Sequence, residues 1–246
     1  MKDLFHFQDK NFLVTGSSKG IGEAVAHDLL GLGANVWGVS RTNTFNPERS
    51  GADRFGFIPA DLSNPSDRSA ISESGPEQYD GIFLNAGASG SIKPFHLVNE
   101  AELRDLFELN FYAPYLLIQD LYKKKKIRPG CSIVVNTAHA AFYQPAASSA
   151  YTGAKGALQG AFRSVAADMA KRKIRVNFIA FGYVDTELLR KNNVPDETKA
   201  LAPLGVPAPS EITGGAIYLL SPASRWLSGT TILASAGLGL KQVPML

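Results

Sequence analysis

Asn11-Phe12-Leu13-Val14-Thr15-Gly16-Ser17-Ser18-Lys19-Gly20-Ile21-Gly22 is the stretch that decides the architecture of this 246-residue chain. It opens as an apolar strand, turns glycine-rich, and runs into a helical apolar pattern over 21–33. Strand, glycine loop and helix in that order form the context of a dinucleotide-binding turn. Gly16 permits a sharp exit from the strand, Gly20 lets backbone approach a pyrophosphate, and Gly22 allows close helix packing. Ser18, Lys19 and Ile21 complete the loop. The helix N-terminus then offers N–H groups and a partial positive charge to phosphate.

The alternation continues to the end of the chain. Short apolar segments at 12–14, 35–39, 55–58, 81–84, 132–136, 175–180 and 231–234 read as strands buried on both faces. Helical patterns lie between them at 21–33, 66–74, 100–126, 150–171 and 210–220. With right-handed crossovers, this predicts one α/β domain over residues 1–246. The expected fold is a doubly wound, seven-stranded parallel sheet with helices on both faces. Residues 187–209 stand apart, being polar and carrying Asn192-Asn193 and the prolines Pro195, Pro203, Pro207 and Pro209, and read as loop with at most one helical turn. A segment that follows the sixth strand is placed to be a substrate lid; an inert surface loop is the alternative.

Composition narrows the function classes. A net charge of +3 without a concentrated basic face gives no footprint for nucleic acid. The one basic run, Lys123 to Lys126, reads as a solvated helix end whose cations complement the dipole, with an anionic surface partner as the lesser alternative. Cys131 is the single cysteine, so no intramolecular disulfide exists, and its pattern is that of a small buried hydrophobe. Met1 to Gln8 lack the apolar core of a signal peptide, and no apolar stretch approaches the roughly 18 residues of a membrane span. The expectation is a soluble, cytoplasmic protein. Four scattered histidines form no metal-ligand cluster, so no metal is expected.

The end of the second strand bears on the cofactor. Sites for NAD place an acid there to bind the ribose 2′-OH. This chain has Ser40-Arg41-Thr42 and no acid. Arg41 can grip a 2′-phosphate with two parallel hydrogen bonds, and Lys19 adds a second cation, which favours NADP(H) over NAD(H). Asp61-Leu62, after the third strand, either accepts from an adenine amino group or caps the next helix. Asn85-Ala86-Gly87 closes the fourth strand with small residues against which a cofactor ribose can lie. Tyr151 and Lys155 fall four apart in a helical pattern and project from one face. A free phenol is a poor base near neutrality, and a nearby ammonium lowers its pKa. Tyr151 is thereby a candidate acid/base, with Lys155 also in reach of the nicotinamide ribose.

With these motifs in place, the sequence resembles the short-chain dehydrogenase/reductase family over almost its whole length, in particular its NADP-preferring members of the 3-oxoacyl-acyl-carrier-protein reductase type. The resemblance implies a Rossmann fold and carbonyl–alcohol interconversion by hydride transfer on a small-molecule substrate. It also implies a homotetramer or homodimer packed through the two long helices. It places the adenine-site Asp on Asp61, the Asn-Ala-Gly on Asn85, Ala86 and Gly87, and the catalytic pair on Tyr151 and Lys155. The family's helix Asn, which holds a water in a proton relay, falls on Asn110. Gly182, Val184 and Thr186 fall on positions beside the carboxamide. Four positions depart from the family. Ala138 stands thirteen residues before Tyr151, where the family has a Ser that holds the substrate carbonyl. Thr137 or His139 then either substitutes for that hydroxyl or serves only structure. Phe181-Gly182 replaces Pro-Gly, Ser235-Ala236-Gly237 replaces Asp-Gly-Gly, and Leu84 stands where an Asn often does. Phe142, Tyr143, Phe181 and Tyr183 suggest a partly apolar pocket. Two alternatives accompany this reading: a nucleotide-binding homologue with weak or no activity, and a lyase or epimerase on the same fold.

Overall fold

A computed structural model describes residues 4–46, 51–143 and 145–240, with the side chain of Ala52 excepted. Seven parallel strands form one sheet: β1 (Asn11–Thr15), β2 (Asn35–Ser40), β3 (Phe55–Pro59), β4 (Tyr79–Leu84), β5 (Ile127–Asn136), β6 (Arg175–Phe181) and β7 (Thr231–Ala234). Their order is β3-β2-β1-β4-β5-β6-β7, so the sequence reverses direction between β1 and β4. The crevice beyond the carboxyl ends of strands at such a switch point is where open α/β sheets bind ligands.

Side-chain alternation along the strands splits the core in two. Leu13, Ile82, Leu84, Ile133 and Val135 point to one face, against Leu117 and Leu121 of α4 (Ala113–Lys123) and Leu158 and Phe162 of α6 (Ser149–Met169). Phe12, Val14, Phe83 and Val134 point to the other, against Val25 and Leu29 of α1 (Gly20–Gly31) and Ile217 and Leu220 of a late helix, Gly214–Leu220. Helices α2 (Pro65–Glu73) and α3 (Glu100–Phe107) complete the crossovers after β3 and β4.

Three differences from the sequence expectation matter for the site. The helix expected over 100–126 is interrupted between α3 and α4 by a π turn at Glu108–Tyr112, and α4 ends at Lys123. Ala140–Tyr143 form a short helix, α5, after β5. The segment 187–209, expected as loop with at most one helical turn, holds two short helices, α7 (Glu187–Lys191) and α8 (Asp196–Lys199), while the late helix, α9, begins at Gly214 after a 3-10 turn at Pro209–Glu211. The basic run continues past the end of α4 and is engaged by the neighbouring segment: Lys124 pairs with Glu73 at 3.1 Å, and Lys126 donates to the Pro76 carbonyl. Cys131 is buried, which pushes its thiol well up from the reactive range.

Candidate active site

The glycine loop is drawn too tight to admit side chains. Gly16 has φ +69° and Gly20 φ +64°, both left-handed. A Cβ at Gly16 would stand 3.0 Å from Ala86 Cα, and one at Gly22 would overlap the Gly16 carbonyl and lie 2.6 Å from Asn85 Nδ2. The Thr15 hydroxyl accepts from the backbone N–H of Asn85 and Ala86 at 2.9 and 3.1 Å, tying the exit of β1 to that of β4. The Asn85 side chain braces the same junction. It donates to the Thr15 carbonyl at 3.3 Å and accepts from Asn136 at 2.8 Å. Helix α1 starts without a side-chain cap, so its first N–H groups face the cleft. Bare backbone beside an uncapped helix N-terminus fits a dinucleotide pyrophosphate.

At the β2 end, Arg41 is exposed on the cleft rim. Its loop is held from behind: Ser40 Oγ donates to the Thr42 carbonyl at 2.9 Å, Thr44 Oγ1 donates to the Ser18 carbonyl, and the Phe45 ring stacks on Phe55 at 3.9 Å and on His27 at 4.4 Å. Asp61 is not the cap of α2; Asn64 is, accepting from Ser66 N at 2.9 Å. One Asp61 oxygen takes Ser63 N at 2.9 Å, and the residue lines the cleft.

Tyr151 and Lys155 lie on the first turns of α6 and face the same cleft. Lys155 is only 3% exposed, and its Nζ donates to the Asn136 carbonyl at 3.0 Å. A Cβ at Gly87 would come within 3.3 Å of that Nζ and 2.5 Å of Asn110 Oδ1, so only glycine fits there. Burial lowers Lys155 from 10.5 to about 8 and raises Tyr151 from 10.0 to about 12. The phenol is therefore not lowered as a nearby ammonium would lower it; its desolvation sets the direction. Asn110 sits in the π turn, fully buried, and its side chain clasps Ala88, accepting from its N–H at 3.1 Å and donating to its carbonyl at 2.8 Å. It braces the exit of β4 with that amide instead of presenting it to the cleft. Insertions of this kind recur at functional sites.

The two candidate replacements for the absent serine turn elsewhere. Thr137 is 2% exposed and its hydroxyl donates to the Ile179 carbonyl at 3.3 Å. The His139 ring donates to the Leu238 carbonyl and packs on Tyr143, and burial lowers its pKa from 6.5. Neither lines the cleft beside Tyr151, and Ala138 itself is buried. Phe181 also packs inward, in the core cluster against α1 and α9, so it is not a pocket wall.

Around one opening of about 390 Å³ lie all the predicted cofactor residues except Gly22, Gly182 and Val184, which sit behind it. Gly182 packs against Ser235, where a Cβ would come within 2.9 Å of Cα, and Val184 is buried. Thr186 caps α7, accepting from Leu189 N at 3.3 Å, and its methyl lies 3.3 Å from where a Gly20 Cβ would be. Asn136, which the sequence reading did not single out, also lines the cleft, as do Glu187, Leu188 and Lys191 of the segment expected as substrate lid. Only Asn136 left a signal, as a polar residue at the carboxyl end of a buried strand.

Fold and cleft together define a dinucleotide-dependent α/β enzyme. The family model described as Enoyl-(Acyl carrier protein) reductase matches residues 16–239. A chloroplastic tropinone reductase homologue of Arabidopsis thaliana is 28% identical over 97% of this chain and 78% of its own length. A 7α-hydroxysteroid dehydrogenase, solved with NADH and 7-oxo glycochenodeoxycholic acid, superposes with a TM-score of 0.88 at 26% identity, covering 96% of this chain and 97% of that one. A candidate NAD(P)-dependent gluconate 5-dehydrogenase of Beutenbergia cavernae, with NADP at low occupancy, gives 0.86 at 26% identity, covering 95% and 98%. The chain belongs to the short-chain dehydrogenase/reductase family and is an oxidoreductase of that family. No helix among the described residues is long and apolar enough to cross a membrane.

Proposed function

We propose that this protein is an NADP(H)-dependent reductase or dehydrogenase that interconverts a ketone and a secondary alcohol, with Tyr151 as the proton donor and acceptor. The observation that carries the reading is convergence: Tyr151 and Lys155 share one cleft with the bare glycine loop and with Arg41. The nicotinamide cofactor would supply the hydride. Gly16, Ser18, Gly20 and Ile21 would hold its pyrophosphate, and Arg41 and Lys19 a 2′-phosphate. Asp61 and Leu62 would meet the adenine end; Asn85 to Gly87, Lys155, Gly182, Val184 and Thr186 would meet the nicotinamide end. Lys155 is largely protonated at neutral pH with a pKa of about 8 and can bind ribose hydroxyls. Tyr151, held near 12, is a neutral phenol there and suited to give its proton to an alkoxide. Asn110 keeps the loop above Lys155 in place through Ala88.

The test is NADPH oxidation against a panel of ketones and aldehydes with the unmutated enzyme and Tyr151→Phe. A loss of about 10²-fold or more in kcat is expected of the variant. Equal rates would sink the role of Tyr151. Ala138 favours a second reading, a homologue that binds nucleotide and turns over weakly; tight NADPH binding with no turnover on any carbonyl would select it. Homo-oligomerisation is supported by the outer face of α6, where Gly156 and Gly160 have nothing within 4 Å of a built Cβ, and sedimentation of the purified chain decides it. A cytoplasmic location goes with this reading, and imaging of a tagged chain checks it.

A further inference from the structure

The cation that the glycine loop offers to phosphate already has a partner. Lys19 flanks the start of α1, and its Nζ lies 2.5 Å from Glu187 Oε2. The pair spans 168 positions of sequence and joins the glycine loop to the first turn of α7. The other Glu187 oxygen takes Lys191 Nζ at 2.6 Å, one turn further along the helix. These two cations hold the carboxyl at about 2, so it is an anion at any working pH. Immediately past α7, Asn192 and Ser89 exchange hydrogen bonds of 3.0 and 3.2 Å. Ser89 closely follows the Asn85-Ala86-Gly87 segment. The lid helix is therefore tied to the phosphate loop on one side and to the exit of β4 on the other.

Charge makes the first tie conditional. Lys19, Arg41, Lys155 and Lys191 are the cations among the described lining residues of the cleft, Lys155 being turned to the Asn136 carbonyl, and the carboxylates there are Asp61 and Glu187. A phosphate entering the glycine loop meets Lys19 as an opposite charge and Glu187 as a like one. An exposed ion pair is weak and screened by salt, so a bound dianion can displace it. We propose that Glu187 is a positioning residue for Lys19: it holds Lys19 and α7 together until a dinucleotide phosphate takes the ammonium over, so that seating the cofactor also releases this tie on the substrate lid. The inference rests on the cleft being the dinucleotide site.

The experiment titrates NADPH and NADH, by nicotinamide fluorescence, into the full chain as wild type, Glu187→Gln, Lys19→Gln and the double variant. Glu187→Gln should bind the preferred nucleotide about threefold more tightly than wild type at low salt, the scale of an exposed pair. The gain should vanish at about 0.5 M salt, where the Debye length is only a few ångströms. It should also vanish in the Lys19→Gln background, and proteolysis within 187–209 should be faster in Glu187→Gln than in wild type. Binding by Glu187→Gln that is unchanged or weaker, or a gain that persists without Lys19, overturns the proposal while leaving the cofactor reading intact. A wild type that prefers NADH sinks the NADP assignment, yet the threefold gain for NADH would still support the proposal. A wild type that binds neither nucleotide sinks both.

Discussion

Lys155→Met should make the protein more stable and inactive. Lys155 is 3% exposed, and burial lowers its ammonium from 10.5 to about 8. At about 1.4 kcal/mol per pKa unit, the buried cation carries a penalty of roughly 3 kcal/mol near neutral pH. Methionine matches the unbranched stem without the charge, but it forfeits the 3.0 Å charge-assisted bond to the Asn136 carbonyl, worth about 2 kcal/mol. The net gain is about 1 kcal/mol, or roughly 2–4 °C in melting temperature for a chain of this size. The pH dependence follows from the direction of the shift. The folded chain releases this proton near 8 and the unfolded chain near 10.5, so between those values the unfolded state binds more protons at this site and the contribution of Lys155 to stability rises with pH. Below pH 8 both states are protonated and the full penalty stands. Calorimetric melting of wild type and variant in steps from neutral pH to about 10 reads the difference, which should be largest at the neutral end and shrink upward. The raised pKa of Tyr151 acts only above 10 and lies outside this window. A Met variant that melts at or below wild type near neutrality, or a gap indifferent to pH, would refute the reasoning.

Gly22→Ala would drive a methyl into the Gly16 carbonyl and to 2.6 Å from Asn85 Nδ2; it should cost about 2 kcal/mol and at least tenfold in nucleotide affinity, read by melting and titration. Ala236→Gly removes a left-handed alanine at φ +53°; allowing for the extra freedom of glycine when unfolded, it should raise stability by about 0.5 kcal/mol, and a lower melting temperature would contradict the strain argument. Arg41→Asp should weaken NADPH binding by about tenfold, the loss of one charge-assisted hydrogen bond, and spare NADH; an unmutated protein that already binds NADH more tightly would show the assignment of Arg41 to be mistaken.

All seven strands were legible in the sequence because each is a short apolar run between turn residues. The glycine loop was legible because steric demand leaves a compositional trace: Gly16, Gly22 and Gly87 each have atoms where a Cβ would go. The π turn left none. Leu106, Ala113 and Leu117 keep the helix pattern running across it, and one inserted residue changes no side-chain type. The prolines of the lid argue for loop with little helix, yet Thr186 caps α7 ahead of them and Pro195, which forbids a long helix, starts the short α8. Thr137 and His139 could not be settled from spacing, since at a strand end the sheet register decides which way each points; here the Ile179 and Leu238 carbonyls claim them. The partner of Lys19 was out of reach because it lies on another element late in the chain.

On the proposed function, the absent serine would shift the burden of catalysis from donors to walls. With the Thr137 hydroxyl on Ile179 and the His139 ring on Leu238, a substrate oxygen beside Ala138 is left with the Tyr151 hydroxyl as its donor on the reading proposed above. Lacking one oxyanion donor typically costs about 10²–10³ in rate unless substrate binding restores the geometry. Apolar surface on α5 and the lid is the candidate for those walls. Residues 235–240 pack between α5 and the lid: a Cβ on Gly239 would lie 2.9 Å from the Tyr143 ring, Gly237 lies against Pro203 and Leu240, and Leu204 N donates to the Ala236 carbonyl at 3.1 Å. Phe142, Leu188 and Leu204 remain exposed on these elements. A large apolar carbonyl compound could bury that surface and hold its oxygen at Tyr151 through contacts remote from the reacting centre, whereas a small polar one could not. Rate should therefore rise steeply with the apolar bulk of the ketone, and more in kcat/KM than in binding of the nucleotide. A panel in which acetone-sized and polycyclic ketones turn over equally would show that positioning by these walls contributes nothing.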